Sequence, residues 1–348
     1  MPHLLSEGYR LPTQHTVERF LGEGAFAQVY RVRHRVFGRQ AMKVFKQPVL
    51  PQQEISEMLS EGILLSKIGH PNIVRVFDAG TFDLEGEQYG YLTMEYAGGG
   101  TLYDLWHAQG TKILPLATSL DLVGQTAAGL AVAHGYNPPV IHRDIKPNNI
   151  LVAITEEGYQ AKVSDFGLAK QVNPLTLMAT AAGTLPFKAP EVFITEKSDS
   201  PAGDVWSLGV TLYLLLTNQM PYKVPEGVTP SSKVYKTPPT RPSRLNFECD
   251  EALDELVLRA LAFEPEARYP HAQAFWEALR TWRAKPATPC PAIEKEAAAQ
   301  SLKQAYDKAG MGDLKRAIEL LEKAFQQNPE LRSSHASRLR LWQMGIVM

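Results

Sequence analysis

Cysteine is nearly absent from this chain: Cys249 and Cys290 are the two thiols in 348 residues. So sparse a content argues against a disulfide framework or a cysteine-built zinc cluster, and points to a reducing compartment. Excess charge of either sign is also missing. The 36 basic side chains meet 37 acidic ones, for a formal net charge of −1. That balance gives no global electrostatic footprint for nucleic acid or a membrane surface. Long apolar runs are lacking too. The longest, Leu208 to Leu216, is interrupted and falls short of the about 20 residues a membrane span needs. The opening Met-Pro-His-Leu-Leu-Ser-Glu has no charged-then-apolar leader pattern. Together these absences predict a cytoplasmic protein.

What is present is ordinary globular material, 44% hydrophobic and 21% charged, in a chain longer than one average domain. From Thr16 to Phe45, apolar and polar residues alternate with β-branched and aromatic enrichment, which predicts three strands joined by glycine-bearing turns. Gln52 to Ile68 switches to helical spacing, with Ile55, Met58, Leu59, Leu65 and Ile68 on one side. Ile73 to Ala79 and Tyr89 to Tyr96 read as two further strands. Beyond Gly98-Gly99-Gly100, helical patterns take over: Leu102 to His107, Leu116 to His134, Asp204 to Leu216, Glu251 to Leu261 and His271 to Trp282. A β-rich lobe followed by a helical lobe is an α+β plan with a cleft at the junction. Residues 284–294 are proline-rich and predict a linker; residues 295–345 return to helical patterns.

Chemistry concentrates in the run His142-Arg143-Asp144-Ile145-Lys146-Pro147-Asn148-Asn149, with Asp165-Phe166-Gly167 downstream. An acid, a cation and an amide share one loop, and a second acid follows. That set suits transfer of a phosphoryl group from a magnesium-bound nucleotide to a hydroxyl, where the protein mainly positions groups and neutralises charge. Upstream, Gly22-Glu23-Gly24 sits between two strands. Alone it describes a plain hairpin turn as well as a loop whose backbone N–H groups approach phosphates. Lys43, in Ala-Met-Lys-Val, would alone be a strand-edge charge.

On these motifs the chain resembles the eukaryotic-type (Hanks-type) serine/threonine protein kinases, in their bacterial form, over residues 14–283. The resemblance implies a two-lobed protein kinase fold, with an N-lobe at 14–97 and a C-lobe at 98–283, that uses ATP and Mg²⁺. It assigns Leu21, Gly22, Gly24 and Val29 to the nucleotide, with Ala27 where the family has a third glycine. Lys43 would grip the α and β phosphates and pair with an acid on the following helix. Glu61 is preferred there, with Glu57 one turn earlier as the alternative and Glu54 on the same face. Met94 would back the adenine pocket, and the backbone of Glu95 and Ala97 would meet the purine edge. Asp144 would orient the substrate hydroxyl, Lys146 would neutralise the moving phosphoryl, and Asn149 and Asp165 would hold the metal. Asp204 would hold the catalytic-loop backbone beside Arg143. Glu191 would pair with Arg268, while His142 and Phe166 would be packed structural residues. The segment from Asp165 to Glu191 carries Thr176, Thr180 and Thr184. The first two are candidate autophosphorylation sites, and Thr184 is a candidate for hydroxyl selection. One departure stands out: Leu185-Pro186-Phe187-Lys188 replaces the more usual tyrosine-methionine ending before Ala-Pro-Glu.

Ala305, Gly312, Ala317, Leu321, Ala324 and Pro329 match the small-large-small positions of a tetratricopeptide repeat across a helix-turn-helix. A single repeat cannot bury its own apolar face. The segment should therefore dock on the helical lobe, pair with another chain or bind a partner helix; Arg332 to Trp342 would add a further helix. The expected function is transfer of the γ-phosphoryl group of ATP to Ser/Thr hydroxyls of protein substrates, without nucleic-acid or membrane partners. The alternative is a nucleotide-binding pseudokinase scaffold that presents partners through the C-terminal helices.

Overall fold

Alternating apolar side chains between His15 and Pro48 fold as three strands, β1 (His15–Glu23), β2 (Ala27–His34) and β3 (Gly38–Pro48). With β4 (Val76–Leu84) and β5 (Glu87–Glu95) they form one antiparallel sheet in the order β1-β2-β3-β5-β4. A computed structural model describes residues 3–24, 26–48, 68–109, 113–166, 185–193, 200–223, 232–235, 237–284, 292–328, 331–343 and 345–346. The helix expected over Gln52 to Ile68 falls almost wholly outside those residues.

One face of the sheet packs Val17, Tyr30, Val32, Met42, Val44, Phe82 and Tyr91 into a core, which Leu5 and Leu11 of the N-terminal segment complete. That segment is anchored by backbone donors: Leu5 N–H bonds the Tyr30 hydroxyl at 3.1 Å and Leu4 N–H bonds Gln28 Oε1 at 2.9 Å. The lobe thus begins before residue 14, because its sheet needs apolar cover that β1 alone does not supply.

A two-stranded ribbon, β6 (Ile150–Thr155) and β7 (Gly158–Val163), follows the run from His142 to Asn149. No strands were expected here. Gly158 turns the ribbon at φ +124°, a conformation that suits a residue without Cβ. The helical part comprises α1 (Leu102–Ala108), α2 (Leu116–His134), α3 (Pro201–Thr217), α4 (Glu251–Ala260) and α5 (Ala272–Ala284). Ser200 caps α3 by accepting from Gly203 N–H. Nearly every α3 side chain is buried, so this helix is the axis of the lobe.

The expectation that no helix matches a membrane span needs correction. By length and composition α2 is long and apolar enough to cross a bilayer. Its leucines, valines and alanines give it that character, while interleaved polar and glycine residues break any continuous apolar run. Its buried positions, Leu120, Leu122, Val123, Ala127, Leu130 and Ala133, belong to a protein core.

The chain divides into two units, residues 1–239 with 256–279, and residues 240–255 with 280–348. The second unit contains α6 (Ala292–Gly310), α7 (Leu314–Gln327) and α8 (Leu331–Gln343). The proline-rich stretch therefore gives way to helix at Ala292, two residues before the expected linker ends. Asp313 caps α7 by accepting from Arg316 N–H at 3.2 Å, just after Gly312 turns the chain at φ +80°. Ala305, Ala309, Ala317, Leu321 and Phe325 share a core with Leu339 and Trp342, and Phe247 packs against it. The C-terminal helices thus bury their apolar face partly on residue 247 of the same unit.

Candidate active site

Pairing register places the nucleotide-end residues. Gly22 lies opposite Val29, Val29 opposite Lys43, and Ala41 opposite Met94. Gly24 N–H donates to Ala27 C=O at 2.8 Å and closes the turn. Among the described residues, a Cβ on Gly22 would meet nothing within 4 Å, and one on Gly24 nothing nearer than 3.9 Å. Packing against those residues therefore does not demand glycine at either place. Leu21 is exposed at the rim, and Ala97 is buried just past β5.

Lys43 projects from β3, 6% exposed, and its ammonium pairs with Asp165 Oδ1. Burial alone would raise the Asp165 carboxyl; the attached Lys43 charge and hydrogen bond override it and hold the group below its ordinary value. The carboxylate is therefore ionised and able to bind a cation. Glu54, Glu57 and Glu61 lie outside the described residues, as do Gly167, Thr176, Thr180 and Thr184.

The loop preceding β6 gathers the rest. Asp144 Oδ2 accepts from Lys146 Nζ at 2.9 Å and from Asn149 Nδ2 at 2.8 Å. Its Oδ1 is buried with no hydrogen-bond partner among the described residues. Such an atom is costly unless something binds it, so Asp144 presents one buried acceptor that no described group uses. Asn149 Nδ2 also donates to Asp144 C=O at 2.8 Å, so the amide's Oδ1 is its remaining acceptor. Asn149 C=O accepts from both Ser164 N–H at 3.0 Å and Ser164 Oγ at 3.1 Å, which sets Asn149 beside the residue preceding Asp165.

Two residues of this constellation adopt left-handed backbone, Arg143 at φ +70° and Asp165 at φ +62°. A non-glycine residue holds that conformation only where its surroundings enforce it. At Arg143 the enforcer is Asp204, on the first turn of α3. Its carboxylate accepts His142 N–H at 2.7 Å and Arg143 N–H at 2.8 Å. His134, at the end of α2, adds a third bond from Nε2 at 2.9 Å. Because His134 Nδ1 accepts from Ala272 N–H, the ring proton sits on Nε2. His142 is fully buried, its Nε2 donates to Ser164 C=O at 2.7 Å, and its ring packs on Phe166 with centroids 4.5 Å apart. Glu191 and Arg268 meet in a paired ion bridge at 2.7 and 2.8 Å.

Sequence reasoning missed two supports. His134 sits 70 residues from Asp204, on a helix read only for periodicity. Lys162 of β7, buried, pairs with Glu95 Oε1 at 3.0 Å and donates to Pro71 C=O at 2.9 Å. Glu95 N–H is held by Arg75 C=O at 2.9 Å. The residue expected to offer its backbone to a purine is therefore fixed from both its main chain and its side chain. Only the unexpected apolar alternation around Gly158 could have signalled β7, and nothing in it named Lys162's partner.

Lys43 and Asp165 thus form one pair and Asp144, Lys146 and Asn149 a second cluster, tied together through the bonds of Asn149 C=O to Ser164. The hard oxygen donors of Asn149 and Asp165 suit Mg²⁺, which binds through one or two protein oxygens plus phosphates and waters.

The chain is similar to known proteins. A family model described as protein kinase domain matches residues 15–340. The chain is 35% identical over 214 residues to the serine/threonine-protein kinase ATG1c of Arabidopsis thaliana, covering 61% of this chain and 28% of that protein. It is 32% identical over 289 residues to the serine/threonine-protein kinase PknA of Mycobacterium tuberculosis, covering 82% of this chain and 64% of that protein. The chain therefore spans less than two thirds of the length of these curated relatives. The crystal structure of the PknI kinase domain of Mycobacterium tuberculosis aligns with a TM-score of 0.59 at 26% identity, over 80% of this chain and 99% of that one.

Proposed function

The chain belongs to the protein kinase domain family, and from that premise we propose that it is a serine/threonine protein kinase using ATP and Mg²⁺. The observation that carries the proposal is the Asp144 carboxylate. One oxygen is held by Lys146 and Asn149, and the other is buried and vacant of hydrogen bonds among the described residues. A carboxylate so oriented aligns a substrate hydroxyl and takes its proton late in a loose transition state, so it needs no raised basicity. Lys146, 2.9 Å from Asp144, neutralises charge on the phosphoryl group in transit. Lys43 holds the α and β phosphates beneath the open turn of Gly22 and Gly24, with Leu21 and Val29 over the base and Glu95 and Ala97 along its edge. The chemistry Mg²⁺ would supply when bound is positive charge that offsets the phosphates. Asn149 and Asp165 supply the oxygens that receive it.

The substrate class is protein Ser/Thr hydroxyls, as Lys146 within Asp-x-Lys-Pro-x-Asn suggests. Autophosphorylation on Thr176 or Thr180, with Glu61 as the partner of Lys43 and Thr184 in hydroxyl selection, completes the proposal. Kinase residues are assigned to 14–283, and the helices beyond to a tetratricopeptide-like appendage that serves docking or regulation within the cytoplasm.

The test is incubation of the whole chain with labelled ATP, Mg²⁺ and a generic basic protein, beside Asp144→Ala. Wild-type transfer that falls about 10²–10⁴-fold in the variant supports the assignment. No transfer by wild type, with nucleotide still bound, would favour a scaffold. Mapping of phosphopeptides after the same incubation decides between Thr176 and Thr180.

A further inference from the structure

Lys188 occupies the place where the resembled family more usually carries methionine, and it does something methionine cannot. Its Nζ donates to the main-chain carbonyl of Arg143, the residue directly before Asp144. Arg143 is one of the two site residues in left-handed backbone, at φ +70°. Its N–H is already held by Asp204 Oδ1 at 2.8 Å. Lys188 therefore grips the carbonyl end of the same residue, and the N–H on the other side of that peptide, that of Asp144, donates to His142 Nδ1 at 3.2 Å, so the peptide that leads into Asp144 is held at both its polar sides.

The position from which Lys188 reaches is itself rigid. Phe187 is buried, and its carbonyl accepts from Ser207 Oγ at 2.8 Å. Ala189 is 2% exposed. Lys188 N–H bonds Leu185 C=O at 3.1 Å, closing one short turn. Ser207 and Asp204 are three residues apart on α3 and share a face of that helix. The result is a closed frame. Asp204 ties α3 to residues 142 and 143, Ser207 ties α3 to Phe187, and Lys188 ties the Phe187 segment back to Arg143. A charge-assisted hydrogen bond is about twice as strong as a neutral one, so the third side of the frame is a firm one.

Building on phosphoryl transfer at this site, we propose that Lys188 is a positioning residue: its ammonium orients the catalytic carboxylate by holding the Arg143 carbonyl. It couples the end of the segment between Asp165 and Glu191 to the catalytic loop. The group acts on Asp144 through the backbone and does not touch nucleotide.

The experiment compares wild type, Lys188→Met and Lys188→Arg as full-length chains, with steady-state kcat and the KM for ATP measured on a generic basic protein. Lys188→Met keeps the aliphatic stem and removes the donor. Its kcat should fall about 10- to 100-fold, the scale of one charge-assisted hydrogen bond expressed in the transition state. Its KM for ATP should stay within about twofold, because the nucleotide contacts are untouched. Lys188→Arg, which keeps a charged donor, should recover most of the lost kcat. Wild-type kcat in Lys188→Met overturns the proposal, as does a loss in Lys188→Arg equal to that in Lys188→Met, or a KM that rises in step with the fall in kcat. Should Lys188→Met fold poorly, Lys188→Arg and Lys188→Gln together decide the same question, with the neutral donor expected to lose more kcat than arginine. Equal kcat in those two variants overturns the proposal as well. An inactive wild type is a different failure: it removes phosphoryl transfer itself.

Discussion

Arg268 grips Glu191 with both terminal guanidinium nitrogens, at 2.8 and 2.7 Å across 77 residues of sequence. The Arg268 side chain is wholly buried, and its remaining donors are used as well. Nε bonds Ala262 C=O at 2.7 Å and Nη2 bonds Phe263 C=O at 2.8 Å, while Cζ lies 4.9 Å from the centroid of the Trp206 ring. Removing either partner strands the other. Glu191→Ala leaves a fully buried cation with carbonyl partners alone, and should cost about 3–5 kcal/mol. Denaturant unfolding at pH 7 measures it; a loss below about 1 kcal/mol would mean that water or another acid replaces Glu191.

Close helix packing gives a second prediction, with an internal contrast. A Cβ on Gly209 of α3 would lie 2.9 Å from Ala260 Cβ and 3.3 Å from Leu261 Cδ2, whereas one on Gly124 of α2 would meet nothing within 4 Å among the described residues. Alanine favours a helix interior over glycine by about 1 kcal/mol at either position. At Gly209 that gain is outweighed by overpacking, which costs about 1–3 kcal/mol. Gly209→Ala should therefore lower the thermal midpoint, and Gly124→Ala should hold or raise it. A matched response in the two variants would show that α3 shifts to make room.

Much of this architecture is written locally. The alternation around Val29 and Lys43 yields β2 and β3, and the 3.6-residue spacing of α2 and α3 yields those helices to within a few residues at each end. The run from His142 to Asn149 names its own chemistry, because acid, cation and amide lie within one loop. What stayed hidden are pairings whose two ends carry no mutual signature. Leu5 and Leu11 look like an unstructured start until the sheet face they cover is known. Lys162 resembles any polar position of a strand until Glu95 and Pro71 surround it. Residues 240–255 read as part of the helical lobe, yet they form one unit with the C-terminal helices. Periodicity reports which face of an element is buried; it does not report against what.

Acid stability should depend on Asp204. Burial would raise its carboxyl, but the hydrogen bond from His134, the neighbouring histidines and the His142 N–H together hold it below its ordinary value. A carboxyl with a depressed folded pKa contributes stability above its unfolded value, about 3.9, and loses it as pH falls through the lower folded value. Asp204→Asn cannot accept the same three donors, and should cost about 1–3 kcal/mol at pH 7. Unfolding curves from pH 7 downward should show the gap to wild type narrowing below about pH 4, where the carboxyl of the unfolded chain takes up its proton ahead of the native one. A gap constant down to acid would assign the loss to shape and not to charge.

The Lys162 and Glu95 pair makes an asymmetric prediction. Lys162 is 7% exposed at its side chain and also satisfies Pro71 C=O at 2.9 Å, while Glu95 is 34% exposed. Solvent reaches the acid, so the Coulombic part of the pair is screened and worth at most about 1 kcal/mol. Lys162→Met removes the donor to the Pro71 carbonyl and frees the Glu95 side chain, for a total of about 1–3 kcal/mol. Glu95→Gln keeps an acceptor oxygen and should cost less than Lys162→Met. Because Glu95 also borders the proposed purine site, Lys162→Met should raise the KM for ATP while leaving kcat close to wild type. Equal destabilisation by the two variants would place the importance of this contact in the charge pair instead of the Pro71 carbonyl. A fall in kcat at constant KM would detach Lys162 from nucleotide binding altogether.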